Sequence, residues 1–268
     1  MTKSQGFTLI ELVITMVLLA ILAIATSDFI RSGALIYRQS ADRQVLVSEA
    51  RFAIQRLSRE LHNSLPNSAR LDANNAGDPC LSFVPTVASN TYINVPLIPN
   101  AAASASMVTA PNQPTISAQG SHWLSVYVLG SDEVLNSDGR LQDAFCTSSR
   151  GKALCINSIS NDASSGLSTV NFAGPIEFIS DSPAQRAYII TEPVRYCVEG
   201  AKLVRYQPAD ADDGIMMASK LEPNSGTQPF QVVQPSLTRN GLVNLRLRFV
   251  EKDEFVEFNH DIVILNQP

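Results

Sequence analysis

Among the residues of this 268-residue chain that could do chemistry, one carboxylate stands apart. Glu11 sits inside an apolar run that continues to Ala25 and is otherwise broken only by Thr15. As a helix, residues 7–27 rise roughly 30 Å, the thickness of a bilayer's hydrocarbon core. An unpaired charge at that depth costs a few kcal/mol, about 3 on insertion scales, so Glu11 requires a partner cation or donor. The other chemistry-bearing groups form weaker patterns. Ser149 and Lys152 have the S-x-x-K spacing of serine acyltransferases, but they lie in a Ser/Gly-rich loop between two cysteines and lack the companion elements. Asp210, Asp212 and Asp213, ahead of Gly214, resemble the front of a calcium loop. The spacing departs from that motif, and Lys220 stands where the bidentate glutamate belongs. A solvated acidic turn is the simpler expectation, with calcium as the weaker alternative. His62, His122 and His260 fall on separate segments with no spacing that suggests a metal or a triad. Phosphate-cradling and nucleophile-elbow motifs are absent from the sequence, so the expectation is a protein that is not an enzyme and needs no cofactor.

The elements that position Glu11 come next. Ahead of the apolar run lies a short polar segment, Met1 to Gly6, with one basic residue, Lys3. A secretory signal would place its small-residue cleavage site after the run, and no such site fits there. Residues 28–65 read as a continuation of the same helix, with no proline before Pro66. Val47, Ala50, Ile54, Leu57 and Leu61 form one apolar stripe at three- and four-residue intervals, and Glu60 can reach Arg56 one turn back. After Pro66 the pattern becomes short β-type runs: 81–87, 123–129, 176–179 and 187–191. A hairpin follows at 194–206 around Glu199-Gly200. In the tail, Val243, Leu245, Leu247 and Phe249 alternate with polar residues, and Glu251-Lys252-Asp253 turns the chain into 255–265. This alternation implies a sheet with one buried face, most simply against the amphipathic helix. The stretch 87–121 shows little pattern and is expected to be a long loop or an insertion, and 207–228 is expected to be irregular.

The string Gly6-Phe7-Thr8-Leu9-Ile10-Glu11 resembles the prepilin leader shared by type IV pilins and type II secretion pseudopilins. The resemblance implies cleavage between Gly6 and Phe7 by a prepilin peptidase on the cytoplasmic face, and N-methylation of Phe7. It also implies that Glu11 meets the N-terminal amine of a neighbouring subunit. A narrower resemblance, over Arg51 to Arg70 and around Cys80 to Pro85, is to the large minor pilins of the mannose-sensitive haemagglutinin pilus system. The implied partners are other major and minor pilin subunits, the peptidase, the inner membrane and its pilus-assembly machinery. The implied location is the bacterial inner membrane with a periplasmic globular domain, then the fibre at the cell surface.

The expected fold is α+β: a long N-terminal helix packed on an antiparallel β-sheet domain. Its expected parts are a leader (1–6), a membrane or fibre-core helix (7–27), an amphipathic helix (28–65) and a globular β-rich domain (66–268). Cys80, Cys146, Cys155 and Cys197 all lie beyond the span, and an even count in an oxidising compartment reads as two disulfides. Three connectivities are open. The favoured one closes a short loop at Cys146–Cys155 and ties two strands at Cys80–Cys197. A net charge of −5 and the lack of a basic stripe interleaved with aromatics argue against nucleic acid as a partner.

Overall fold

The computed structural model describes residues 8–111, 113–117, 119–162, 164–208, 213–222, 228–235, 239–252 and 254–264. Its first element is α1 (Leu9–His62), 54 residues and roughly 80 Å long. Thr8 caps it in extended backbone, its hydroxyl accepting the Glu11 N–H at 3.4 Å. The helix stops three residues short of the expected end. Asn63 turns its N–H back to Glu60 and Leu61, and the Leu65 N–H is committed to the Val84 carbonyl at 2.8 Å. The buried stripe is Leu46, Ala50, Ala53, Ile54, Leu57 and Leu61. It starts at Leu46 rather than at Val47, which is only half-buried, because the sheet approaches the helix from Leu46's side.

Sixteen strands follow among the described residues. The first five are β1 (Arg70–Ala73), β2 (Pro79–Phe83), β3 (Thr86–Asn94), β4 (Ala102–Val108) and β5 (Trp123–Val126). Next come β6 (Arg150–Gly151), β7 (Ala153–Cys155), β8 (Ser158–Asp162), β9 (Leu167–Phe178) and β10 (Arg186–Ile190). The last six are β11 (Val194–Glu199), β12 (Lys202–Tyr206), β13 (Ile215–Ala218), β14 (Phe230–Val233), β15 (Gly241–Glu251) and β16 (Glu254–Ile264). Together with α1 they make the α+β class, with antiparallel pairing throughout except β6 on β9.

The strands form three sheets. One has the order β1-β2-β11-β12-β13, and another is β14-β15-β16. These two are stitched by the Leu221–Phe249 bridge, and both pack on the C-terminal half of α1. The tail behaves as its alternation requires: Val243, Leu245, Leu247 and Phe249 are at most 1% exposed, and the residues between them face outward.

The third sheet is an insertion. Strands β3 to β10 leave the first sheet after β2 and return to it at β11, in the order β6-β9-β4-β3-β10-β5-β7, with β8 also on β9. The two ends of that path, β6 and β7, are separated in sequence only by Lys152, so the sheet curls back on itself as a small barrel. Leu124, Val126, Leu154, Ala187 and Ile189 face its interior. Their neighbours Trp123, Ala153, Cys155, Tyr188 and Ile190 pack on the other side with Leu65 and Val84, at the C-terminal end of α1. Both faces of these strands are therefore buried, one within the barrel and one against its mounting.

Of the two readings of 87–121, long loop or insertion, the structure bears out the second. The Ser/Ala run forms β4, whose Ala105 and Met107 point inward and which pairs with β3 and β9 on either side. Small side chains concealed its period-two pattern, and pairing on both edges supplies the order that propensity does not. The stretch 207–228 likewise contains β13, four residues that extend the hairpin sheet through Val204 and Arg205. In contrast, 123–129 ends as a strand at Val126, because Tyr127 takes a positive φ of 53°.

Candidate functional site

The feature with functional content is the division of α1 into two halves. From Leu9 to Val45 every residue is exposed except the half-buried Asp42, and among the described residues nothing covers Leu12, Val13, Val17, Leu18 or Ile21. This half is long and apolar enough to cross a membrane. Its polar atoms are handled internally where they can be. The Thr15 hydroxyl donates to the Leu12 carbonyl at 2.9 Å, and that of Thr26 donates to Leu22 at 2.8 Å. Among the described residues the Glu11 carboxylate makes no hydrogen bond and no ion pair, and it is the one charged group of the apolar run 9–25, so at membrane depth it must find its partner outside the chain.

From Leu46 onward the helix is docked, and the docking is polar as well as apolar. Glu60 is the hub. Its carboxylate accepts from Arg56 Nε at 3.1 Å, from Arg205 Nε at 3.0 Å and from the Tyr196 hydroxyl at 3.0 Å. Arg205 also donates to Gln207 at 2.6 Å. Burial, reinforced by the Glu60 charge, raises the Tyr196 pKa well above its ordinary value and keeps the hydroxyl a donor. Further toward the N-terminus, the Glu49 carboxylate accepts from the backbone N–H and the hydroxyl of Ser219. Lys252, in the turn between β15 and β16, reaches Asp42 at 2.7 Å.

The sequence finds part of this clamp, the Arg56–Glu60 pair. It misses Tyr196 and Arg205, although a signal was present. The tight hairpin pairs Glu199 with Lys202, which places Tyr196 directly opposite Arg205.

The expected site residues divide as follows. Gly6 and Phe7 lie outside the described residues, as do Asp210 and Asp212. Asp213 is exposed, and among the described residues no cluster of three potential ligands could hold a metal. Cys80 pairs with Cys197 and Cys146 with Cys155, at Cα separations of 4.1 and 4.9 Å. The first bridge joins directly opposed residues of β2 and β11, the two strands from which the insertion springs. Lys152 is turned away from any serine chemistry. Its ammonium donates to the Tyr127 carbonyl at 2.6 Å, lies over the Tyr127 ring and comes within 3.7 Å of Glu133. His122 contacts Ser121, and burial lowers its pKa; His62 and His260 lie on α1 and β16.

Residues 1–27 match the family model described as the prokaryotic N-terminal methylation motif. The chain therefore carries a type IV prepilin-like leader, and the motif indicates a type IV pilin-like or pseudopilin protein, processed by prepilin peptidase and handled by assembly machinery. Searches of curated proteins and of solved structures return no match.

Proposed function

We propose that the protein is a minor pilin, a structural subunit without enzymatic activity. In this reading the leader is removed after Gly6, Phe7 is methylated, and the subunit is drawn from the inner membrane into a type IV pilus with its globular part in the periplasm. The observation that carries the reading is the split of α1 into an uncovered apolar half bearing an unpartnered Glu11 and a docked half locked to two sheets. Leaving lipid for a fibre is favourable for such a half-helix only if neighbouring helices cover it at once and a cation meets Glu11. The insertion supports a place at or near the tip. It is mounted at the C-terminal end of α1, through Leu65 N–H to Val84, Asn67 to Val128 and Arg70 to Asn136, where it would obstruct a subunit stacked above. The likeness of residues 51–70 to the mannose-sensitive haemagglutinin minor pilins favours that pilus system.

A clean deletion strain tests the proposal, scored for major pilin in the sheared surface fraction and for exoproteins in the medium. Lost pili with normal secretion support the minor-pilin reading. Lost secretion with intact pili would assign the protein to the pseudopilins, and loss of adherence alone would favour a tip adhesin.

A further inference from the structure

The insertion, residues 86–190, leaves the helix-and-sheet body and returns to it through a single gap. Phe83 and Val194 are directly opposed at the end of the β2–β11 ladder, and the Thr191 N–H donates to the Pro85 carbonyl at 3.2 Å. The chain that leaves and returns there, about a hundred residues, is as long as an ordinary domain. No ladder crosses the gap. Every pairing of β3 to β10 is made within the insertion, and among the described residues none joins it to β1, β2 or β11 to β16.

The cores divide at the same place. The core around Leu57, Phe83, Tyr196 and Phe249 draws no residue from the insertion, and the core around Met107, Leu124, Val170 and Ile189 draws none from outside it. What joins the two is the mount, where Leu65 and Val84 meet Trp123, Tyr188 and Ile190. Hydrogen bonds from Thr86 to Asn63, Asn67 to Val128 and Arg70 to Asn136 support it. The mount also buries polar atoms with no hydrogen-bond partner among the described residues: Asn67 Oδ1, Thr86 Oγ1 and, on the Trp123 side of β5, Ser125 Oγ. Unpaired buried groups cost free energy, so the mount holds less firmly than an apolar contact of the same extent.

The body's side of the gap is closed covalently. Cys80 and Cys197 are directly opposed on β2 and β11, three places in from the Phe83–Val194 pair, and are at most 1% exposed. The other bridge, Cys146–Cys155, lies wholly within the insertion and ties nothing to the body.

We propose that the inserted barrel opens and recloses as a unit of its own while the helix-and-sheet body stays folded, and that Cys80–Cys197 is the stop confining the opening to the insertion. Contiguous elements that share one core and few outside contacts are the usual units of partial unfolding. An open insertion is a flexible loop whose ends tend to drift apart, and without the bridge only the short β2–β11 ladder would resist. With the bridge in place those strands cannot separate, so the ends remain together and closure entropy is already met when the barrel refolds. This division belongs to the chain alone and does not rest on the pilus reading.

The test is hydrogen exchange followed by mass spectrometry on the full, oxidised chain in micelles at rising urea, with Trp123 fluorescence read in parallel. Segments from β3 to β10 should lose protection together, in step with Trp123, at lower urea than β2, β11, β15, β16 and residues 46–61 of α1. In Cys80→Ser with Cys197→Ser, β2 and β11 should lose protection with the barrel instead of with the body. One transition common to all segments of the oxidised chain would overturn the proposal, as would a body that opens before the barrel. The confining role falls if β2 and β11 stay with the body in the variant. It falls equally if neither this variant nor Cys80→Ala with Cys197→Ala folds, since the bridge would then hold the whole body together.

Discussion

Replacing Glu60 by alanine should loosen α1 from its sheets without touching its apolar stripe. Three donors converge on that carboxylate, and the most enclosed is Arg205, whose side chain is 9% exposed. Without Glu60 the Arg205 guanidinium keeps only Gln207. Removing one partner of a buried pair costs about 3–5 kcal/mol. Glu60 is itself 20% exposed, and Arg56 is more so, so water recovers part of that. The expected loss is about 2–4 kcal/mol, of which the Arg56 pair contributes only about 0.3–0.5. The assay is hydrogen exchange of the amides from Ala53 to Leu61, with urea unfolding followed by circular dichroism on the full chain in micelles. Trp123, the sole tryptophan, lies in the inserted barrel and serves as the internal control. Glu60→Leu with Arg205→Met should restore most of the loss, since apolar isosteres often replace a buried pair at little cost. A Glu60→Ala loss below about 1 kcal/mol, or exchange rates that rise equally throughout the protein, would refute the clamp.

Other outcomes follow from the same geometry. Glu11→Ala should leave leader removal normal while cutting incorporation into sheared fibres severely, as judged by immunoblot; wild-type incorporation would remove Glu11 from the assembly role. Replacing Cys80 and Cys197 by serine opens a loop of 117 residues, against nine for Cys146 and Cys155. Chain entropy predicts losses of about 5 and about 2.5 kcal/mol, so melting should separate the two variants clearly. Gly139→Ala should destabilise by about 1–3 kcal/mol, because its φ is +74° and a Cβ there collides with Asp72 and Ser82. Tyr92 gives a pH signature. Burial, then its hydrogen bond to Asp181, pushes its pKa from 10.0 up to about 12. The proton is held more tightly in the folded state, so its contribution is complete below pH 10 and is lost as pH rises toward 12. Tyr92→Phe should flatten that part of the stability curve, read by urea titrations at each pH.

Much of the assembly half was legible because its signals are local. Glu11 interrupts an apolar run long enough for a bilayer, and that property does not depend on what the rest of the chain does. The tail hairpin was equally plain, since period-two alternation in β15 fixes which face meets the core. The stripe on α1 was legible to within a residue; whether Leu46 or Val47 faces inward depends on the angle at which the sheet arrives, which helical periodicity leaves open.

The inserted barrel was not legible, and the reason is physical. Strand β4 is an Ala/Ser run with no strand propensity of its own, and it is ordered because β3 and β9 pair with both its edges, the latter some sixty residues away in sequence. Tyr196, Arg205 and Glu60 meet only when the hairpin lies across α1, so the chemistry of each residue was visible but their convergence was not. The sequence by itself determined the leader, the apolar, membrane-capable half of α1 and the carboxylate within it in need of a partner, because these are properties of consecutive residues. Only the tertiary structure decided where the helix docks and that a barrel is mounted on its end, because those rest on pairings between residues far apart along the chain.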